Sequence, residues 1–209
     1  VLYMMKKTKS RKQLCRAAII VFLLVALDQL TKYLAVLKLK MSGKGVFELI
    51  PGVFELRYLE NQSAAFGVDL LSIIQGIFHF SYWDSNPMAF LRAKMIFFSV
   101  ITIAVVILLC LWYCKIPHTK RFGLLNVVVI LFISGAIGNL LDRIINNYVV
   151  DFFYFCLINF PIFNVADIYV TVAAFMFIIL GLFYYKEEDF SIIFPDRKHD
   201  KKLDEKLEN

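Results

Sequence analysis

Two carboxylates stand out because of their surroundings. Asp151 lies in VVDFFYF and Asp167 in FNVADIYV, so each is flanked almost wholly by apolar and aromatic residues. Low local dielectric and a nearby like charge both oppose double ionisation, so two such acids brought together would share one proton. An ionised carboxylate beside a protonated one suits amide hydrolysis. The first takes a proton from water while the second polarises the scissile carbonyl and then supports the leaving amine. Two other chemistries fit the same residues: caps at helix ends, or an ion-coupling site. No competing nucleophile has a comparable setting, since the chain holds no G-x-S-x-G and no H-E-x-x-H, and no cysteine with a histidine partner is expected on the outer face.

Further polar residues fall close to the same points of the chain. Asp28 and Lys32 are one helical turn apart near the end of an apolar run, spaced to present both charges on one face. Asn139 and Arg143 have the same spacing, suited to orienting carboxylates or binding a substrate carbonyl or phosphate, and Asp142 adjoins them. Asn164 and Asp167 open a later apolar run. Gly135 and Gly138 lie in SGAIGNLLDR, where small residues permit close helix contact. Charged groups in apolar spans are costly and usually functional, which sets these acids apart from ordinary surface charges.

The elements that must position these groups are membrane helices. Of 209 residues, 60% are hydrophobic and only 19% charged, with a mean hydropathy of +0.69, too apolar for an ordinary soluble domain. About 20 helical residues cross the roughly 30 Å hydrocarbon core. Four stretches meet that length, at about 14–34, 95–114, 122–141 and 167–185. The expected fold is therefore a mostly α, polytopic membrane protein of one domain, 1–209, with four transmembrane helices. Pro51-Gly52 interrupts the β-branched and aromatic run VFELIPGVFELRYL, predicting a small extracytoplasmic β element. The segment 68–90, with Phe78, Phe80, Tyr82 and Trp83, fits either an element lying in the membrane interface or an ordinary aromatic-rich loop.

The net charge of +6 is clustered, and this sets orientation. Lys6, Lys7, Lys9, Arg11 and Lys12 precede the first span and Arg16 stands at its start, and Lys115, Lys120 and Arg121 sit between the second and third. Both termini (1–13 and 186–209) are thus expected in the cytoplasm, with 40–94 and 142–164 outside. Such clusters face lipid head groups rather than nucleic acid. No cleavage site follows the first span, which reads as an uncleaved anchor. Cys15, Cys110, Cys114 and Cys156 have no ligand or redox spacing, and His79, His118 and His199 are scattered, so no metal or other cofactor is expected.

Five motifs in order, DQLTK (28–32), ENQSAAFG (60–67), SGAIGNLLDR (134–143), VVDFF (149–153) and FNVAD (163–167), resemble those of the lipoprotein signal peptidase (signal peptidase II) family. The resemblance runs from the first span through the fourth. It implies a metal-free aspartyl endopeptidase of the bacterial cytoplasmic membrane, with the active site near the outer surface. Asp151 and Asp167 would be catalytic. Asn61, Asn139, Arg143 and Asn164 would surround the site, Asp142 would hold Arg143 or the local loop, and Asp28 and Lys32 would support it. The implied substrates are diacylglyceryl-modified prolipoproteins, cut before the lipidated cysteine, and the implied inhibitors are cyclic peptides of the globomycin type. Ser63 and Ser134 stand where the family pattern usually has glycine, and 68–90 is longer than usual, long enough to form an extended lid. A small ion-coupled transporter using Asp28, Asp142 and Asp167 is the competing expectation, although the acids gather at one face rather than at the midplane.

Overall fold

In the computed structural model, the described residues are 10–193, apart from 44 and 64–69. The lysines before residue 10, the C-terminal residues 194–209 and residues 64–67 of ENQSAAFG fall outside them. Within a bilayer every backbone polar group must be satisfied internally, and the apolar runs accordingly form helices. Among the described residues, four are long and apolar enough to cross a membrane: Arg11–Lys40, Pro87–Lys115, Gly123–Asn146 and Val165–Tyr184. In chain order the elements are α1 (Arg11–Ala35, continued by a π turn over Val36–Lys40), β1 (Val46–Ile50), β2 (Phe54–Asn61), α2 (Leu70–Phe78) and α3 (Ser81–Ser85). There follow α4 (Pro87–Lys115), α5 (Gly123–Asn146), β3 (Val149–Tyr154), α6 (Val165–Ile179, with a π turn over Leu180–Tyr184) and α7 (Glu187–Ile193).

The long helices run past the apolar stretches because capping, rather than hydropathy, ends a helix. Ser10 and Gln13 form a capping box before Arg11, Pro87 opens α4 where its missing N–H costs nothing, and Asn147 ends α5 in the left-handed region at φ 61°. Arg92 and Lys94 therefore ride on the first turns of α4, and Asp142 and Arg143 remain on α5. Within 68–90 lie α2 and α3, and Phe78 of α2, Phe80 just before α3 and Tyr82 of α3 are exposed.

Helix α5 is the centre of the bundle. Half of its apolar stretch, 50%, is buried inside the protein, against 11%, 11% and 17% for the other three spans. It packs on α1, α4 and α6. Two glycines make this possible. A Cβ at Gly135 would stand 2.5 Å from the Ala166 carbonyl oxygen, and one at Gly138 would stand 2.6 Å from Asp28 Oδ2. Alanine at 138 would push α1 and α6 away from α5, and overpacking of this kind costs about 1–3 kcal/mol. We expect Gly138→Ala to lower the thermal unfolding midpoint in detergent, while Gly123→Ala, with open space around it, leaves it unchanged.

At the end where α1 and α5 finish and α6 begins, three strands form an antiparallel sheet in the order β1-β2-β3. Gly52, at φ 72°, turns the β1–β2 hairpin. β2 then pairs with β3, matching Leu59 to Asp151 and Asn61 to Val149. Phe163 extends the far edge of β3 by a further bridge to Phe153. Ala35, Leu39, Val150 and Phe152 form a small core that fixes the sheet to the end of α1.

Candidate functional site

The sheet and the helix ends place the polar residues of five separate segments in one cluster. Asp151 sits on β3 and is only 1% exposed. Its Oδ2 accepts from Asn61 Nδ2 at 2.8 Å, and its Oδ1 accepts from Asn164 Nδ2 at 2.6 Å. Asn61 reaches it because the β2–β3 register sets the end of β2 beside the start of β3. The Asn61 amide oxygen meanwhile accepts the Ser63 N–H at 2.8 Å, tying the following loop to the same side chain.

Asp167 is held by the cap of its own helix. Asn164 is the N-cap of α6, accepting the Asp167 N–H at 3.0 Å, and Asp167 Oδ2 accepts the Asn164 N–H at 3.1 Å. This reciprocal box has Asp where a capping box usually carries Glu or Gln. Asp167 Oδ1 accepts from Asn139 Nδ2 at 2.8 Å, and Asn139 Oδ1 accepts from Asn164 Nδ2 at 3.0 Å. Each carboxylate thus receives two N–H donors, and the Asn164 and Asn139 amides link one acid to the other.

Behind this pair lies a buried ionic core. Lys32 Nζ meets Asp28 Oδ2 at 2.9 Å, Asp142 Oδ2 at 3.1 Å and Asn139 Oδ1 at 2.9 Å, so its three hydrogens have three acceptors. Asp28 Oδ1 accepts the Ala166 N–H at 2.9 Å at the start of α6, and Asp142 Oδ2 accepts the Val150 N–H at 3.0 Å in β3. Asp142 therefore holds the local strand, with Lys32 and Val150 sharing its Oδ2 and Gln29 donating to its Oδ1. Gln29 had no assigned role in the sequence, yet its Nε2 lies 3.1 Å from Asp28 Oδ2, 3.1 Å from the Gly138 carbonyl and 3.2 Å from Asp142 Oδ1. Its position between two charged residues of DQLTK was the available signal.

Asp151 and Asp167 both line a cavity of about 270 Å³, together with Asn61, Ser63, Asn139 and Arg143. Its other wall is apolar, with Phe160, Ile162, Phe163, Ile168 and Val172. Asp28, Lys32 and Asp142 do not line it. Arg143 lies over the Phe98 ring, 5.8 Å from its centroid, and its buried Nε has no partner among the described residues. Burial and then the neighbouring Asp167 charge raise the Asp151 pKa to about 7, against the lowering effect of the Asn61 and Asn164 hydrogen bonds and of Lys32. Asp151 therefore keeps its proton at pH values where an ordinary aspartate has lost it. If cleavage needs one proton on the pair, raising pH through about 7 removes it, and kcat/KM should fall on that side; a flat profile from pH 6 to 9 would contradict this.

The sequence model described as "Signal peptidase (SPase) II" matches residues 20–183 of the chain. A lipoprotein signal peptidase of Caldanaerobacter subterraneus subsp. tengcongensis is 39% identical over 166 residues, covering 79% of this chain and 92% of that protein. One of Streptococcus pyogenes serotype M5 (strain Manfredo) is 34% identical over 168 residues, covering 80% and 91%. Two solved structures, both described as bacterial membrane enzymes determined by the in meso method, at 1.9 and 2.3 Å resolution, match with a TM-score of 0.63 and 28% identity. The first match covers 87% of this chain and 99% of that one, the second 88% and 97%.

Proposed function

Since the chain belongs to the signal peptidase II family, and is thereby a membrane protease, we propose that it removes the signal peptide from diacylglyceryl-modified prolipoproteins by an aspartyl mechanism, with Asp151 and Asp167 as the catalytic pair. The observation that carries this is the shared cavity: two carboxylates linked through Asn164 and Asn139 face one space that is polar at one wall and apolar at the other. A substrate with a peptide bond beside a lipid needs both walls.

In the proposed reaction the ionised carboxylate takes a proton from a water held between the pair, and the water oxygen attacks the scissile carbonyl carbon. The protonated carboxyl donates to the carbonyl oxygen as negative charge develops there. Collapse of the tetrahedral adduct breaks the C–N bond, and the proton first taken from water passes to the leaving amine. Asn61, Asn139 and Asn164 fix the carboxylate planes by their donated N–H groups, and Arg143, whose Nε has no partner among the described residues, is suited to bind a substrate carbonyl. Asp28, Lys32, Asp142 and Gln29 act through these residues, not on substrate.

The proposed setting is the bacterial cytoplasmic membrane, with one multi-pass domain over 1–209, both termini in the cytoplasm and the sheet end at the outer surface. A site at that surface leaves the substrate's acyl chains in hydrocarbon, where each CH₂ contributes about 0.8 kcal/mol that extraction would forfeit. Globomycin-type cyclic peptides would compete in the same cavity. The deciding experiment is a gel-shift cleavage assay in detergent with a prolipoprotein substrate carrying or lacking the diacylglyceryl group. Cleavage of the lipidated form alone is expected. Equal cleavage of both forms would remove the lipid from the specificity, and no cleavage of either by folded protein would reject the activity.

A further inference from the structure

β3 borders a second cavity. Val149 and Asp151 line the first, whereas Phe152 and Phe153, the next two residues of the strand, line a groove of about 560 Å³ against the end of α1. That volume lies in the range of sites that hold small ligands. Its floor is buried and apolar, with Ala35, Leu39 and Phe152, and at its mouth stand the exposed Leu34, Phe47, Lys38 and Ser42. The hydroxyls give it little polarity: Thr31 Oγ1 donates to the Asp28 carbonyl at 2.7 Å, and Ser42 Oγ donates to the Lys38 carbonyl.

The two lysines at this end of α1 differ. Lys40 Nζ is paired with Glu60 Oε1 at 2.6 Å and stands 5.4 Å from the centre of the Tyr58 ring. Lys38 has no ion pair among the described residues, and it is the charged residue at the groove. The span Arg11–Lys40 has 30 residues, about 45 Å of helix, while the hydrocarbon core is roughly 30 Å thick. Its last turns must therefore stand at the level of lipid head groups. An apolar bed below one uncommitted cation, at that depth, matches an amphiphile with a hydrocarbon chain and an anionic head.

We propose that this groove holds one acyl chain of an anionic glycerophospholipid of the bilayer, with its phosphate against Lys38, and that the bound lipid braces the strand carrying Asp151. A substrate's diacylglyceryl group would gain nothing from Lys38, because it is uncharged. A bilayer phospholipid carries its phosphate where the lysine stands.

The test is native mass spectrometry of the full chain in detergent, titrated with phosphatidylglycerol or with phosphatidylcholine of the same acyl chains. The variants are Lys38→Gln, Ser42→Trp and, as a control at the opposite end of the bundle, Lys115→Gln; all three positions are exposed, so no core is opened. Wild type should bind one phosphatidylglycerol in preference to phosphatidylcholine. Lys38→Gln should weaken phosphatidylglycerol about fivefold, the equivalent of the roughly 1 kcal/mol that one basic residue gains near an anionic lipid, and leave phosphatidylcholine unchanged. Ser42→Trp, which blocks the mouth, should weaken both. Unchanged binding in Lys38→Gln, or an equal loss in Lys115→Gln, would show a diffuse charge effect and overturn the site. So would a Ser42→Trp variant that keeps both phospholipids but loses a diacylglyceryl-cysteine peptide, since the groove would then belong to substrate. The readout is bound lipid, so it stands or falls apart from the peptidase activity.

Discussion

Asp151→Asn and Asp167→Asn should each lower turnover of a lipidated prolipoprotein by roughly 10²–10⁴-fold, the range that a positioned general acid or base contributes. The substitutions keep shape and volume, and each exchanges one acceptor oxygen for a donor nitrogen. At Asp167 the N-cap contact survives, because Asn164 Oδ1 accepts the residue's backbone N–H and not its side chain. Folding and substrate capture should therefore persist, with kcat carrying the loss. The two variants also differ in a way that a purely structural role would not produce. Asp167 is one reason that Asp151 holds its proton to about pH 7, so removing its charge lets Asp151 ionise at lower pH. Residual activity in Asp167→Asn should then show its alkaline decline shifted to lower pH than in wild type. A variant of either residue with near wild-type kcat would exclude that residue from the chemistry, and an unshifted decline in Asp167→Asn would separate the two titrations.

The helices were legible because the bilayer imposes one solution on long apolar runs: every N–H and C=O must be paired within the segment. The charge-free stretches at 95–114 and 122–141 needed no tertiary information. The hairpin could be read from Pro51-Gly52 between β-branched runs, for similarly local reasons. β3 could not. Val149, Val150, Asp151 and Phe152 are all buried, so the strand lacks the alternation that marks a half-exposed one, and its pairing with β2 joins residues about ninety positions apart. The candidate site shows the same division. Asp151 and Asp167 were visible as acids in apolar surroundings, and Asp28 with Lys32 as a turn-spaced pair. What Asp142 binds was not visible, because that depends on α1 and α5 meeting at Gly138. Nor could spacing reveal that Asn164 caps α6 with one amide atom and holds Asp151 with the other.

Replacing Lys32 should produce the largest loss of stability from any single substitution in the polar core. Lys32 is 2% exposed, and removing its ammonium would leave Asp28 and Asp142, themselves 0% and 2% exposed, without their counter-ion. Taking one partner from a buried ion pair costs about 3–5 kcal/mol, mostly because the remaining charge is uncompensated. Lys32→Met keeps the side-chain length and removes only the charge and its donors, so its lowered unfolding midpoint in detergent isolates that effect. Activity should fall as well, since Asn139 Oδ1 loses the Lys32 hydrogen bond that helps to orient the amide whose nitrogen donates to Asp167. The double variant Lys32→Met, Asp142→Asn distinguishes charge imbalance from lost packing. Neutralising Asp142 removes one orphaned carboxylate while its remaining oxygen can still accept the Val150 N–H, so the pair should be more stable than Lys32→Met alone. If the two substitutions were simply additive, Lys32 would act by filling space and not as the counter-ion of Asp142.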